Sequence, residues 1–138
     1  MGIRRKARVV ALQVLFEVDL AGHDVGEALA WRLEENALAQ EGADFARELI
    51  EGVLTNRDKI DSIIQTRAPA WPVPQIAVID RNILRIAIFE ILLNNKVPVR
   101  AAINEAVELA KAVGSDNSPK FINGVLGTVS AQSGGERG

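Results

Sequence analysis

Apolar residues recur along this chain mainly at spacings of three and four, and alternating runs of β-branched residues are scarce. Spacings of three and four place side chains on one face of an α helix, whereas alternation is typical of a half-buried strand. The pattern therefore predicts an all-α protein with about six to eight helices.

Residues 4–21 and 76–95 are the most apolar of the predicted helices, and each carries apolar residues on two faces. Residues 4–21, for example, place Leu12 and Leu20 on one face and Val14 on another. A helix that is apolar on two sides is buried between neighbours, so both segments are expected to be central. The charged side chains of 76–95 then need partners or gaps in the packing. They are Asp80, Arg81, Arg85 and Glu90.

The region between these two helices is less regular. An amphipathic helix is predicted over residues 25–40, with Ala28 and Trp31 in its apolar stripe. Asp44 is suited to cap the helix that follows. Farther along, Gly52 and Asn56 leave open whether that region forms one long helix or two shorter ones.

Three prolines in RAPAWPVP, residues 67–74, forbid a continuous helix because proline lacks an amide donor and restricts the residue before it. The stretch is too short to be a flexible linker between domains, so a stiff connector is expected. The predicted parts are a single domain over 1–132, its sub-bundles at about 1–68 and 75–132, a connector at 69–74 and a disordered tail at 133–138.

The last third of the chain contains clear helix signals. Pro98 suits the first turn of a helix and Gly114 its end, and Ser118 fits the N-cap of the last helix. The Asn-Gly pair at 123–124 is also a β-hairpin signature, but the cap and the apolar stripe favour a helix. Gly124 would then cost about 1 kcal/mol relative to alanine, a cost that is tolerable if a neighbouring helix approaches closely there.

The composition excludes several classes of protein. Without cysteine there is no disulfide framework, thiolate metal site or cysteine nucleophile, which fits a cytoplasmic protein. His23 is the only histidine, and no apolar run approaches the roughly 20 residues that span a bilayer. Phosphate loops, dinucleotide fingerprints and nucleophile elbows are also missing. We therefore expect no catalytic residue, metal site or cofactor.

Positive charge is concentrated in IRRKAR, residues 3–8, although the chain has 16 basic and 18 acidic residues. The helix dipole disfavours positive charge at a helix start, so the dipole does not explain the cluster. Two explanations remain open, a grip on nucleic-acid phosphates and a solubilising terminal run. The four basic residues are Arg4, Arg5, Lys6 and Arg8.

Several segments, taken in order, resemble the bacterial NusB family from about residue 3 to residue 130. They are IRRKARVVALQVLFEVDL, FARELIEGVLTNRDKID, DRNILRIA, INEAVELAK and SPKFINGVL. The resemblance implies two small helical bundles that share one core, no catalysis, and assembly with NusE, a small-subunit ribosomal protein. It also implies that the two proteins bind the boxA segment of single-stranded RNA within the RNA polymerase antitermination complex and support ribosomal RNA transcription. Some relatives form homodimers when free.

The resemblance also implies the site residues. Those for RNA are Arg4, Arg5, Lys6, Arg8, Asn117, Ser118, Lys120 and Phe121, and those for NusE are Phe16, Asp80 and Arg81. The family commonly has Tyr at position 16 and an acidic residue at position 117, where this chain has Phe16 and Asn117. Phe121 is expected either to stack on an RNA base or to belong to the core. The basic start and residues 117–121 are expected to form two halves of one RNA surface.

Two other functions compete with this interpretation. One is a helical RNA-recruiting module related to the N-terminal domain of ribosomal RNA methyltransferases, for whose catalytic domain 138 residues leave no room. The other is a helix-turn-helix DNA binder, which the acidic bulk and the missing basic recognition helix disfavour.

Overall fold

The structure, a computed structural model, describes the backbone of residues 2–137 and the side chains of residues 2–131. In this part of the chain there are seven α helices and no strand, so the predicted all-α class is confirmed. The helices are α1 (Ile3–Ala21), α2 (Val25–Asn36), α3 (Gln40–Thr55), α4 (Arg57–Arg67), α5 (Val78–Ile88), α6 (Val99–Val113) and α7 (Ser118–Arg137). A 3₁₀ turn, Val73–Gln75, precedes α5, and a π-helical segment, Phe89–Asn94, continues it. The predicted disordered tail, 133–138, lies outside the residues described in full.

The chain divides into two compact units. The first ends at Thr55 and contains α1 to α3, and the second begins at Asn56 and contains α4 to α7. The predicted single domain, with sub-bundles at about 1–68 and 75–132, stays a prediction.

Helix α1 is the centre of the first unit and packs against both α2 and α3. It ends at Gly22, whose φ of 68° is a left-handed conformation that glycine adopts without strain. Leu20, predicted to lie on a packed face, is exposed in the last turn of α1. The buried apolar residues of α1 are Ala7, Val10, Ala11, Leu12, Val14 and Leu15.

Helices α2 and α3 differ from the expected pattern. In α2 only Ala28 is buried, and Trp31, predicted to belong to an apolar stripe, is 65% exposed. Asp44 does not cap α3, because the helix begins four residues earlier, at Gln40. Asp44 instead accepts a hydrogen bond from the Gln40 side chain at 2.8 Å. The question of one long helix or two is resolved in favour of two, since α3 ends at Thr55 and α4 begins at Arg57.

An ion pair between Glu17 and Arg32 connects α1 to α2, with Arg32 Nε donating to Glu17 Oε1 at 2.8 Å. The hydrogen bonds from Arg32 hold the pKa of the Glu17 carboxyl below its ordinary value. The pKa of Glu17 is therefore lower in the folded protein than in the unfolded chain. The ion pair contributes its full stabilisation at pH values above the unfolded-state pKa. That stabilisation disappears as the pH falls through the folded pKa.

Glu17→Gln should therefore unfold more easily than the parent protein at pH 7, and the difference should shrink below about pH 4.5. Urea unfolding at a series of pH values measures this effect. The control is Glu34→Gln, which removes an exposed carboxylate from α2. A difference between Glu17→Gln and the parent that stays constant down to pH 3 would contradict the assignment.

In the second unit, α5 has buried residues around most of its surface, as its two apolar faces predicted. Arg85 lies among them and forms a two-pronged ion pair with Asp61 of α4. Arg85 Nε donates to Asp61 Oδ1 and Arg85 Nη2 donates to Asp61 Oδ2, both at 2.9 Å. A third contact joins Arg85 Nη1 to the side-chain oxygen of Asn82 at 3.3 Å. The pair connects α4 to α5 within this unit.

Helix α7 packs against α4, α5 and α6 through Ile122, Val125, Leu126 and Val129, which are all buried. The hairpin alternative at 123–124 is thereby wrong. The condition under which the cost of Gly124 would be tolerable, a closely approaching helix, is not met, since a Cβ added there would meet nothing within 4 Å. The cap lies one residue earlier than predicted, because the Asn117 carbonyl accepts from Phe121 N at 3.1 Å and Ser118 already belongs to the helix.

Candidate nucleic-acid interface

The basic cluster of residues 3–8 forms the first two turns of α1. Phe45 of α3 lies beneath two of its guanidinium groups. Arg4 Cζ is 4.7 Å from the centre of the Phe45 ring and Arg8 Cζ is 5.3 Å from it. Cations over an aromatic face at these distances are attracted by the ring, so Phe45 supports positive charge at a helix end that the dipole disfavours.

The four predicted basic residues are not equally accessible. Arg8 is only 5% exposed, whereas Arg4, Arg5 and Lys6 are exposed. Packing of the Arg8 side chain against Phe45 suits a residue that holds the cluster in place. The exposed three are therefore the members of the cluster that can reach a ligand.

Carboxylates of α3 lie near the cluster. A shallow cavity of about 180 Å³ in the first unit is lined by Arg4 and Ile3 of α1 and by several residues of α3. The residues of α3 are Glu41, Asp44, Phe45 and Glu48. Arg5 and Lys6 are outside this cavity.

The second predicted RNA segment forms the turn from α6 into α7. Asn117 and Lys120 are exposed, Phe121 is half-buried and Ser118 is only 1% exposed. The Ser118 hydroxyl accepts a hydrogen bond from the backbone N–H of Ser115 at 2.9 Å. Ser118 thus fixes the shape of the turn that carries the exposed Asn117 and Lys120 and the half-buried Phe121.

A cavity of about 360 Å³ opens beside this turn, within the second unit. Its aromatic wall is formed by Trp71 and Phe121, whose ring centres are 5.9 Å apart at an interplanar angle of 84°. This edge-to-face arrangement is one that aromatic pairs prefer, and it leaves ring faces that the partner ring does not cover. The lining residues are Ala70, Trp71, Pro72, Gln75, Ile76, Ala77, Asp80, Ser115, Asn117, Ser118 and Phe121.

Asp80 belongs to the same cavity. The family resemblance groups it with Phe16 and Arg81 for the partner protein, whereas the structure brings it together with Phe121 and Asn117. It is 8% exposed, and its Oδ1 atom has no hydrogen-bond partner among the described residues. Arg81, its neighbour in sequence, is half-buried and donates to the Val73 carbonyl at 3.4 Å.

Phe16 lies on α1 in the first unit and is half-buried. Its ring is therefore partly available to a partner.

Trp71, Gln75 and Ser115 were not among the predicted site residues. The available signal for Trp71 was its position between Pro69 and Pro72 in the stiff connector. Gln75 and Ser115 carried no signal of their own, because their place in the cavity depends on how α5 and α7 pack.

Within the described residues, no group of three or more His, Asp or Glu side chains is arranged to hold a metal ion. No described helix is both long enough and apolar enough to cross a membrane. The described part of the chain has a basic surface at residues 3–8, a polar surface at residues 117–121, and a cavity whose wall contains Trp71 and Phe121.

Comparison with known proteins decides the family, since the model of the NusB family matches residues 5–131. The chain belongs to the NusB family. It is 52% identical over 127 residues to the transcription antitermination protein NusB of Dehalococcoides mccartyi strain CBDB1, a match that covers 92% of this chain and 89% of that relative. The resemblance stated from the sequence is thereby confirmed, and with it the function of a non-catalytic transcription antitermination protein.

Two solved structures show the same NusB-like fold. T. maritima NusB matches with a TM-score of 0.84 at 32% identity, over 93% of this chain and 90% of its own. A crystal structure of the antitermination factors NusB and NusE in complex with double-stranded RNA matches with a TM-score of 0.85 at 27% identity, over 94% of this chain and 96% of its own.

Proposed function

We propose that this NusB-family chain binds boxA-type single-stranded RNA together with NusE, as a component of the RNA polymerase antitermination complex that supports ribosomal RNA transcription. The observation that carries the proposal is the Trp71–Phe121 pair, which lines an open cavity next to the exposed Asn117 and Lys120. Single-stranded RNA is commonly held by aromatic rings that stack on its bases and cations that contact its phosphates. A relative crystallised with NusE and double-stranded RNA supports NusE and RNA as partners.

The proposed contacts fall into two chemical classes. Arg4, Arg5, Lys6 and Lys120 bind phosphates, which gives affinity and position without reading the sequence. Asn117 and Phe121 contact bases and supply preference. Arg8 and Ser118 take part by holding these residues in place, because both are buried.

For NusE we propose contacts with Phe16 in the first unit and with Arg81 in the second, which are both half-buried. Asp80 was assigned to the same partner from the resemblance, and it contributes only through the small fraction of its side chain that is exposed. A homodimer of the free protein would compete with these contacts, so the mass of the free chain should be measured by light scattering before binding is tested.

Fluorescence anisotropy with labelled boxA RNA, in the presence and absence of NusE, tests the proposed function. We expect tighter binding to boxA than to a scrambled RNA of the same length, and a further gain when NusE is added. Equal affinity for the two RNAs, with no gain from NusE, would refute the proposal.

The triple variant Arg4→Ala, Arg5→Ala, Lys6→Ala should weaken binding to boxA and scrambled RNA alike. Each phosphate contact on single-stranded nucleic acid contributes about 0.7 to the slope of log affinity against log salt, so the slope should fall by about 2. Anisotropy titrations at four salt concentrations measure it.

The matched control removes three exposed cations elsewhere, in the variant Arg57→Ala, Lys59→Ala, Lys111→Ala. It changes the net charge by the same amount as the first triple variant. The slope of log affinity against log salt should fall less than in that variant. If both triple variants flatten the slope equally, the first turns of α1 act only through net charge and do not contact RNA.

A further inference from the structure

Phe45 of α3 is a buried ring that lies under charged side chains of another helix. It is 7% exposed, and the guanidinium carbons of Arg4 and Arg8 are 4.7 and 5.3 Å from its ring centre. A phenylalanine of the core ordinarily packs against apolar side chains. Two cations within about 6 Å of one ring centre indicate a role beyond packing.

The start of α1 is supported by the same face of α3. Gly42 is buried and precedes Phe45 by three positions, so the two residues lie on one side of the helix. A Cβ added to Gly42 would lie 3.7 Å from both the carbonyl oxygen and the Cγ2 atom of Ile3. Helix α3 therefore approaches the backbone of α1 at Gly42 and its guanidinium groups at Phe45.

The two arginines differ in what they can reach. Arg8 is 5% exposed and belongs to the packed interior, whereas Arg4 is exposed. A guanidinium that lies against a ring keeps N–H donors at its edges, and these donors can bind a phosphate. A long side chain that is already held in place also loses less conformational entropy when it binds.

We propose that Phe45 is a positioning residue for RNA binding, whose ring holds the Arg4 guanidinium in the orientation that binds a phosphate and anchors the basic cluster through Arg8. The inference rests on the proposed function. It adds a residue that acts through Arg4 and makes no contact with RNA itself.

The cavity beside Arg4 contains a second means of holding this side chain. Three carboxylates line it together with Arg4, those of Glu41, Asp44 and Glu48. A carboxylate would hold Arg4 by attraction between charges, which does not depend on the electron density of the Phe45 ring. The experiment must therefore change that electron density and leave the carboxylates in place.

Fluorinated phenylalanines at position 45 meet this requirement. One, two or three fluorine atoms withdraw electron density from the ring face in steps and change the size of the ring little, so the ring attracts cations less while it still fills its site. Affinity for labelled boxA RNA, measured by anisotropy, should fall in the same steps and reach a loss of about threefold with trifluorophenylalanine. The same replacements at Phe89, a ring of the second unit that is 8% exposed, should leave the affinity unchanged.

Phe45→Leu removes the ring and keeps an apolar side chain. We expect the affinity for boxA and scrambled RNA to fall about three- to fivefold, and the slope of log affinity against log salt to fall by about 0.7, the share of one phosphate contact. Phe89→Leu is the matched control, and its slope should equal that of the parent. If the two variants lose stability in thermal unfolding and both keep the parent slope, Phe45 is a packing residue and the proposal is overturned.

A double variant shows whether Phe45 acts through Arg4. Two residues that act through one contact have effects that do not add. In the background of Arg4→Ala, the further change Phe45→Leu should therefore cause only a small additional loss of affinity. A full three- to fivefold loss in that background would contradict the proposed role.

The remaining outcomes separate this proposal from the proposed function. If the parent chain binds boxA RNA and the fluorinated rings leave its affinity unchanged, the positioning role is refuted and the proposed function stands. This outcome does not depend on the folding of Phe45→Leu, because the fluorinated rings keep the shape of phenylalanine. If the parent chain binds no RNA, with or without NusE, both proposals fail.

Discussion

Asp61→Ala is expected to lower the free energy of unfolding by about 3 kcal/mol, because it removes the carboxylate partner of a guanidinium that is almost entirely buried. Arg85 donates to both carboxylate oxygens of Asp61 at 2.9 Å, and its side chain is almost entirely buried. The hydrogen bond from Arg85 to Asn82 would remain, at 3.3 Å. Unfolding in urea followed by circular dichroism measures the loss.

Two further variants isolate the cause. Asp58→Ala removes an exposed carboxylate from the same helix and should cost less than about 1 kcal/mol, mainly through the helix dipole. The double variant Asp61→Ala, Arg85→Leu should be more stable than Asp61→Ala alone, since it also removes the buried guanidinium that has lost its carboxylate partner. If Asp61→Ala costs no more than Asp58→Ala, the ion pair does not stabilise the fold.

This pair illustrates how far the sequence determines the fold. The charged residues within the apolar segment 76–95 predict that Arg85 needs a partner, because an unpaired buried cation is too costly. The identity of that partner depends on how α4 packs against α5. The spacing of apolar residues along the chain carries no information about that packing. The helices themselves are predictable, since apolar spacing and the glycines after α1 and α6 are local signals.

The candidate site shows the same limit. The basic residues 4–6 are evident in the sequence, whereas the burial of Arg8 depends on Phe45, which lies on another helix. Phe121 and Trp71 are fifty positions apart and meet only because α7 packs next to the proline-rich connector. Asp80 was assigned by resemblance to the partner surface, and only the fold brings it to the cavity that these two rings line.

Gly114→Ala is expected to lower the free energy of unfolding by about 2 kcal/mol, and to weaken RNA binding severalfold in anisotropy titrations. A Cβ at this position would lie 2.6 Å from both Cβ and Oγ of Ser118, and 2.8 Å from the carbonyl oxygen of Ala110. Ser118 is 1% exposed, and the Ala110 carbonyl accepts the hydrogen bond that ends α6, so both contacts are confined. Overpacking of a filled interior typically costs about 1–3 kcal/mol.

The matched control for this prediction is Gly124→Ala in α7. There a Cβ meets no atom within 4 Å, and alanine should raise the free energy of unfolding by about 1 kcal/mol because it favours the helix over the unfolded chain.

The backbone of Gly114, with φ −88° and ψ −171°, is accessible to any residue. A loss of stability in Gly114→Ala would therefore come from contact with Ser118 and Ala110 and not from backbone strain. Equal stability of Gly114→Ala and the parent would mean that the turn before α7 yields to the added methyl. The position of Asn117 and Phe121 would then not depend on Gly114, and RNA affinity should remain unchanged as well.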